Sequence, residues 1–349
     1  MMHTKNQSGY ILMLTLALIS LAMFMSVYIF TKGFTFSRFG KTMVDREKAR
    51  QLAYGGIELA KSLLATVEKQ PANQEQQKKE AAAKTTAASS DGAQLLKAVL
   101  PNLNKLQKFT LKQQIEGING TLSLSIGSEE GKININRLYD FEKHEFVGQG
   151  QPNGDMRAMF KELFVLINEK VKVDLFSAFE KFLKERKYPL NDVTQLLTIP
   201  GFENFKYNLF YDPAGKQDTI YLTDIFTLAS SKKEIEPWLF SSSIKTLLQI
   251  KNQKEKISVD EVLKTFKEQN NWKNDWNKVM QPLYGIDYNS LPKGIAGLLN
   301  PAFGPKVFSV LSQATVSSVT VTVWAILERE KGSGKDAAPI VHVRKVYLL

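Results

Sequence analysis

The sequence contains no cysteine. That excludes disulfides, thiolate metal sites and cysteine nucleophiles together. It says little about compartment, because many proteins of oxidising compartments do without disulfides. Histidine is nearly as scarce: His3, His144 and His342 are the only three. His144-Glu145 lacks the second histidine of a zinc-protease helix, so a transition-metal site has too few ligands to draw on. No nucleophile-elbow sequence is present. Gly332–Lys335 resembles a fragment of a phosphate loop, but Asp336 follows the lysine where Ser or Thr is needed. With no catalytic constellation in view, the chain reads as a non-enzyme.

Charge, Gly and Pro are all missing from Tyr10 to Phe30 (YILMLTLALISLAMFMSVYIF). A helix needs about 20 apolar residues to cross a bilayer, and this run meets that length. The polar MMHTKNQSG precedes it, and Lys32 is the first charge after it. A secretory signal peptide has a shorter apolar core and a small-x-small cleavage site, which SVYIFTKGF does not offer. A plain signal anchor and a pilin-type leader both fit. The latter is cut on the cytoplasmic side of the run, after a short polar leader ending in glycine. Gly9 stands directly before Tyr10, where such leaders place an aromatic residue or methionine.

The chain as a whole is well supplied with apolar residues, 43% of its 349 positions, enough for a real core. Its net charge of +11 points to an anionic partner when taken alone. The lysines are scattered, however, and many sit beside glutamates (Lys161-Glu162, Glu169-Lys170, Glu180-Lys181, Lys184-Glu185). That is the pattern of solvated helix faces.

Apolar or small residues recur at Ala49, Leu52, Ala53, Gly56, Ile57, Ala60, Leu63, Leu64 and Val67. The spacing predicts that the membrane helix runs on as an amphipathic helix lying on a soluble domain. Gly55 and Gly56 weaken it, which is consistent either with a close backbone approach to a sheet or with a tolerated weak point. Residues 70–95 are polar and Ala-rich and read as a low-complexity linker. Alternation then marks strands at Phe109–Lys112, Thr121–Ile126 and Gly131–Asn136, with Asn119-Gly120 as a hairpin turn signal. Helical runs follow at Met156–Val171, Leu175–Lys187, Val193–Leu197, Ile244–Ile250 and Val259–Glu268, the last opened by a Ser258/Glu261 capping box. Trp272 and Trp276, four apart, are expected to pack inward. Strand character returns at Val316–Ile326 and Ile340–Val346, with a turn over Lys331–Asp336.

The expected fold class is therefore α+β: a long N-terminal transmembrane and amphipathic helix on an antiparallel sheet, with a large inserted helical domain. The expected divisions are a leader (1–9), the membrane helix (10–31), its amphipathic continuation (32–69), the linker (70–95), strands (96–150), the insertion (151–304) and returning strands (305–349). Strands from both sides of the insertion are expected to pair in one sheet.

The Gly9/Tyr10 junction, the ARQLAYGGIELAKSLL helix at Ala49–Leu64, the GKININ stretch at Gly131–Asn136, LLTIPGF at Leu196–Phe202 and the closing strands from Val307 together resemble one family. It is the K-type minor pseudopilins of type II secretion systems (general secretion pathway protein K). The resemblance covers most of the chain and rests on the order of the motifs rather than on any one of them. It implies a pilin-like fold with a helical insertion, cleavage after Gly9, and methylation of Tyr10 as the new N-terminus. It also implies a single-pass inner-membrane location with the C-terminal body in the periplasm. The implied partners are the other minor pseudopilins, the major pseudopilin, the prepilin peptidase, the inner-membrane assembly platform and secreted cargo.

In ordinary pilins the fifth residue after the cut is a glutamate that partners the N-terminal ammonium of the subunit above. Here it is Leu14, which in this family goes with a subunit at the filament tip. Small residues Ala17, Ser20, Ala22 and Ser26 permit close helix approach. Some family members bind calcium; the sequence has no oxygen-rich loop of EF-hand type, and no ligand is assigned. The linker is longer than the family pattern, and LTDIFTLASSKKEIEPWLF replaces the Asn-rich turn expected after Tyr221. The alternative function is that of a type IV pilus minor pilin acting in adhesion or DNA uptake. LLTIPGF looks slightly like the hairpin of a helix-hairpin-helix DNA binder, whose turn amides hold phosphate. It lacks the second glycine, since Phe202 follows Gly201, and nucleic acid is accordingly not among the expected partners.

Overall fold

The computed structural model describes residues 7–65, 95, 99, 101–150, 154–216, 218–230, 232–250, 264, 275–300, 304–330, 332 and 339–349. Most of the linker, the Ser258/Glu261 box, Trp272 and most of the Lys331–Asp336 turn lie outside these residues. Helix α1 (Gln7–Ala65) is unbroken over 59 residues, about 89 Å at 1.5 Å per residue. Every residue from Tyr10 to Val44 is exposed. From there one stripe turns inward: Ala49, Ala53, Gly56, Ile57, Ala60 and Leu64 are buried. Steps of three and four keep them on one face, and four of the six are small enough to let the backbone lie close to the sheet. The glycine pair divides the two readings between its members. A Cβ on Gly56 would overlap the Ser312 hydroxyl and meet Leu122 Cδ1 at 3.0 Å, whereas one on Gly55 would meet nothing within 4 Å.

The strands are β1 (Leu106–Leu111), β2 (Gly120–Ser128), β3 (Ile133–Asn134), β4 (Tyr139–Asp140), β5 (Glu145–Phe146), β6 (Phe226–Thr227), β7 (Val307–Val316), β8 (Val319–Glu330) and β9 (Ile340–Leu348). Five of them form the main antiparallel sheet, in the order β1-β2-β7-β8-β9. β2 pairs with β7 from Gly120↔Val316 to Ser128↔Phe308, so strands from the two sides of the insertion do share one sheet. Leu122, Leu124, Val310, Val323, Ala325 and Leu327 face α1 and form one core with it. Val307, Trp324 and Ile326 face the other way and pack with Phe210 and Tyr347.

Three local expectations are corrected. Gly131–Asn136 is not a third strand of this sheet: only Ile133-Asn134 is extended, and it pairs in parallel with β6 inside the insertion. Asn119-Gly120 is not the two-residue hairpin turn. Gly120 opposes Leu111 as the first residue of β2, and Asn119 closes the longer loop by accepting a hydrogen bond from the Gln113 amide at 2.9 Å. Val316–Ile326 is not one strand, because a two-residue turn at Ser317-Ser318 joins Val316 to Val319. Ser317 takes φ 54°, the left-handed geometry such turns need, without the Asn-Gly that usually announces it.

Within the insertion the helix Met156–Val171 matches the expected run. Asp155 caps it by accepting from the Arg157 and Ala158 amides, and Lys172 ends it at φ 61°. The run expected at Leu175–Lys187 is helical over Phe176–Lys184, and Val193–Thr198 is 3-10 rather than α. Phe160, Phe164, Phe179, Phe202 and Phe226 form the centre of this second core, with ring centroids 4.9–6.5 Å apart. Trp276 stacks on Tyr288 at 6.4 Å at the edge of that core.

Candidate functional site

Two regions combine unusual chemistry with a defined place in the fold: the bare half of α1, and the root where the insertion leaves the sheet. Among the described residues α1 is the one helix long and apolar enough to cross a membrane. Several of its hydroxyls are satisfied within the helix. Thr15 Oγ1 donates to Leu12 O and Ser26 Oγ to Ala22 O, both at 2.9 Å, and Thr35 and Thr42 donate one turn back in the same way. A hydroxyl already bonded to its own backbone enters hydrocarbon without an orphaned donor.

The Gly9-Tyr10 bond lies in the first turn of α1, where the leading amides lack intrahelical partners and the backbone opens most easily. Leu14 is half exposed. The four small residues do not make one stripe. At about 100° per residue, Ala17 and Ser20 lie on one side of the helix, while Ala22 and Ser26 lie on nearly the opposite side. Just past the span, Lys32 sits over Tyr28 at 5.7 Å and Arg38 over Phe34 at 4.4 Å. Cations paired with aromatic rings just past an apolar run are the pattern expected of a membrane–water boundary.

The root is built from Ser128 to Asn136. Ser128 ends β2 and caps a 3-10 turn, Glu129–Gly131, by accepting from the Glu130 amide. Glu129, Glu130 and Lys132 are all nearly inaccessible to solvent. Glu129 is ion-paired to Lys132 and accepts from the Thr227 hydroxyl. Lys132 Nζ also donates to Ser309 Oγ of β7 at 3.1 Å. The Glu130 carboxylate accepts from the Lys306 and Val307 amides at 3.0 and 3.1 Å. It thus ties the outgoing chain to the residues by which the insertion returns. Glu236 accepts from Gly304 N at 3.2 Å and pairs with Lys232.

Gly131 is the hinge of this arrangement. A Cβ there would fall inside the Leu239 carbonyl group and 3.0 Å from the Phe240 nitrogen. Farther along, Asn136 reads the Leu190 backbone with both ends of its amide, at 2.8 and 2.9 Å. The GKININ stretch is therefore a buried polar junction. Lys132 within it and the Glu129-Glu130 pair just before it escaped the sequence reading; the available signal was that acidic pair followed by a lysine at the head of an alternating run.

Burial pushes the Glu130 carboxyl up from 4.5 to about 7, against the Lys306 amide and with the help of nearby Glu236. Burial likewise raises Glu236 and Asp224. Folded Glu130 keeps a proton that the unfolded carboxyl has lost. Its contribution is therefore fully present below pH 4.5 and disappears as the pH rises to about 7. Denaturation across this window is expected to show stability falling by up to about 3 kcal/mol from this group, at about 1.4 kcal/mol per pH unit. Glu130→Gln is expected to flatten the fall, leaving the part due to Glu236 and Asp224. An unchanged slope in that variant would assign the titration elsewhere.

Among the described residues no group of three or more His, Asp or Glu could hold a metal ion. Glu129 and Glu236 are each occupied by a lysine ammonium, so these two carboxylates are not open to a cation. His144 is exposed in the turn between β4 and β5 at φ 55°, and His342 is exposed 3.8 Å from Glu330. The Gly201 amide, which a phosphate-holding hairpin would present, donates instead to Glu203 Oε2 at 2.6 Å.

No family model matches the chain and no curated protein matches it. Among solved structures, the chain is similar to one in the crystal structure of the GspK-GspI-GspJ complex from the enterotoxigenic Escherichia coli type 2 secretion system. The TM-score is 0.45 at 12% identity, over 88% of this chain and 98% of that one.

Proposed function

We propose that this chain is a minor pseudopilin of the K type, seated at the tip of a type II secretion pseudopilus, with a structural rather than a catalytic role. The observation that carries this reading is α1 itself. One continuous helix is bare and apolar over its first half, then locked to a sheet by a stripe of small residues. Such a helix serves two states. It stores the subunit in the inner membrane, with the body in the periplasm, and it packs against other pseudopilin helices once extracted. The two small-residue patches, Ala17/Ser20 and Ala22/Ser26, offer close approach to two neighbours on opposite sides.

Leu14 supports the tip position. A shaft subunit needs a carboxylate there to meet the ammonium of the subunit above, because a lone charge in hydrocarbon is costly. A tip subunit has no such neighbour, and leucine carries no such cost. The insertion, joined to the sheet through the Glu129–Lys132 root, is the part offered to the other minor subunits and cargo.

The test is the N-terminal sequence and mass of the chain recovered from membranes. The expected start is Tyr10, methylated, and Gly9→Val is expected to leave the leader uncut and abolish assembly. A start at Met1 makes the chain a plain signal anchor, and a start beyond Phe30 makes it a secreted protein. Either result removes the filament mechanism. Gold labelling of assembled filaments at one end only, rather than along the shaft, separates the tip position from a distributed one.

A further inference from the structure

A cavity of about 400 Å³ lies on the sheet face away from α1, between β8, β9 and the insertion. Its walls include Phe210, Trp324 and Tyr347, whose ring centroids are 5.2–5.4 Å apart, together with Leu190, Leu228 and Ile326. The charged groups on its lining are already neutralised. Asp192 takes Lys345 Nζ at 2.9 Å and the Tyr347 hydroxyl, Arg344 lies on Glu328, and Glu129 lies on Lys132. No net charge is left to recognise an ion, and most of what faces the space is aromatic and aliphatic surface, with Asn191 and Thr223 as polar groups among it.

We propose that this cavity is a binding site for an uncharged aromatic or branched aliphatic side chain, presented by a protein partner. Its volume exceeds that of one large side chain, and pockets of this size, mostly apolar with few polar groups, are the usual form of a specific site. A buried aromatic anchor is also the usual centre of a protein contact.

The other apolar candidate is a lipid chain, and the height of the cavity argues against it. Gly56 of α1 is level with Ser312, which pairs with Val323, the neighbour of Trp324. From Thr31 to Gly56 the helix rises about 38 Å, so the cavity stands well clear of the bilayer. That argument alone rests on the membrane-anchor reading; the chemistry of the walls does not.

The cysteine-free sequence provides the test. Ala229 lines the cavity and Tyr207 is 91% exposed on the same insertion. Ala229→Cys and Tyr207→Cys, each in the full-length chain in membrane fragments, are labelled with a maleimide. N-acetyltryptophan amide is expected to slow labelling at Ala229→Cys by about threefold at a concentration about twice its Kd, and to leave Tyr207→Cys unchanged. N-acetylaspartate amide and 1-hexanol are expected to protect neither. No protection by the tryptophan amide overturns the site, and equal protection by hexanol overturns its assignment to a side chain. Neither outcome depends on where the mature N-terminus starts, so the cavity and the pseudopilin reading fail separately.

Discussion

Gly131→Ala is expected to cost at least about 3 kcal/mol, a very large effect for one methyl group. The backbone at Gly131 has no left-handed φ to protect, so alanine is not strained on its own account. The cost comes from place: the methyl would occupy the Leu239 carbonyl, which belongs to backbone and cannot rotate away. Relief requires the 3-10 turn at Pro237–Leu239 to move. That displaces the Glu236 amide, which donates to Glu130 O at 3.0 Å, and the Ser241 amide, which donates to Gly131 O. Chemical denaturation of Gly131→Ala beside Gly55→Ala gives a contained comparison. Gly55 faces open space, and alanine there is expected to gain up to about 1 kcal/mol of helix propensity. Equal stabilities for the two variants would mean that the root is not packed as described.

The second large effect is expected at Lys132. Lys132→Met removes the only ammonium paired with buried Glu129 among the described residues. Breaking one partner of a buried pair costs about 3–5 kcal/mol, because the remaining charge is left without water or counter-ion. Glu129→Gln together with Lys132→Met is expected to recover most of that loss. The glutamine oxygen still accepts from Thr227, and no uncompensated charge remains. A double variant no better than Lys132→Met would show that the ammonium acts mainly through Ser309 Oγ rather than through Glu129. The insertion is expected to respond first, since Lys132 joins it to β7. Protease cleavage within 129–306 ahead of global unfolding is the readout that places the weakness there.

Both predictions concern residues that the sequence displayed without explaining. Gly131 and Lys132 stood inside a run that alternates like a strand, and period-two alternation is the same whether a segment joins a sheet or fills a crowded crossing. The run became a junction because the insertion must leave and return at one end of the sheet. The backbone amides at Lys306 and Val307, 176 and 177 residues away, needed an acceptor there, and Glu130 supplies it. The Ser317-Ser318 turn was hidden for a related reason. The β8–β7 pairing imposes a left-handed residue on a serine, and nothing local distinguishes that serine from its neighbours.

What the sequence determined alone is what depends on period and composition. The uncharged run from Tyr10 to Phe30, the stripe from Ala49 to Leu64, the helix at Met156–Val171 and the α+β order of the elements follow from local geometry and burial. They survive almost unchanged in the structure. Tertiary structure decided which residues meet across long distances in the chain. It set Gly56 against Ser312 and Leu122 of the sheet, and buried Glu129, Glu130 and Lys132 as a closed network. It also brought Phe210, Trp324 and Tyr347 around one cavity. A pattern along a chain specifies which face turns inward; only the packed fold specifies what that face meets.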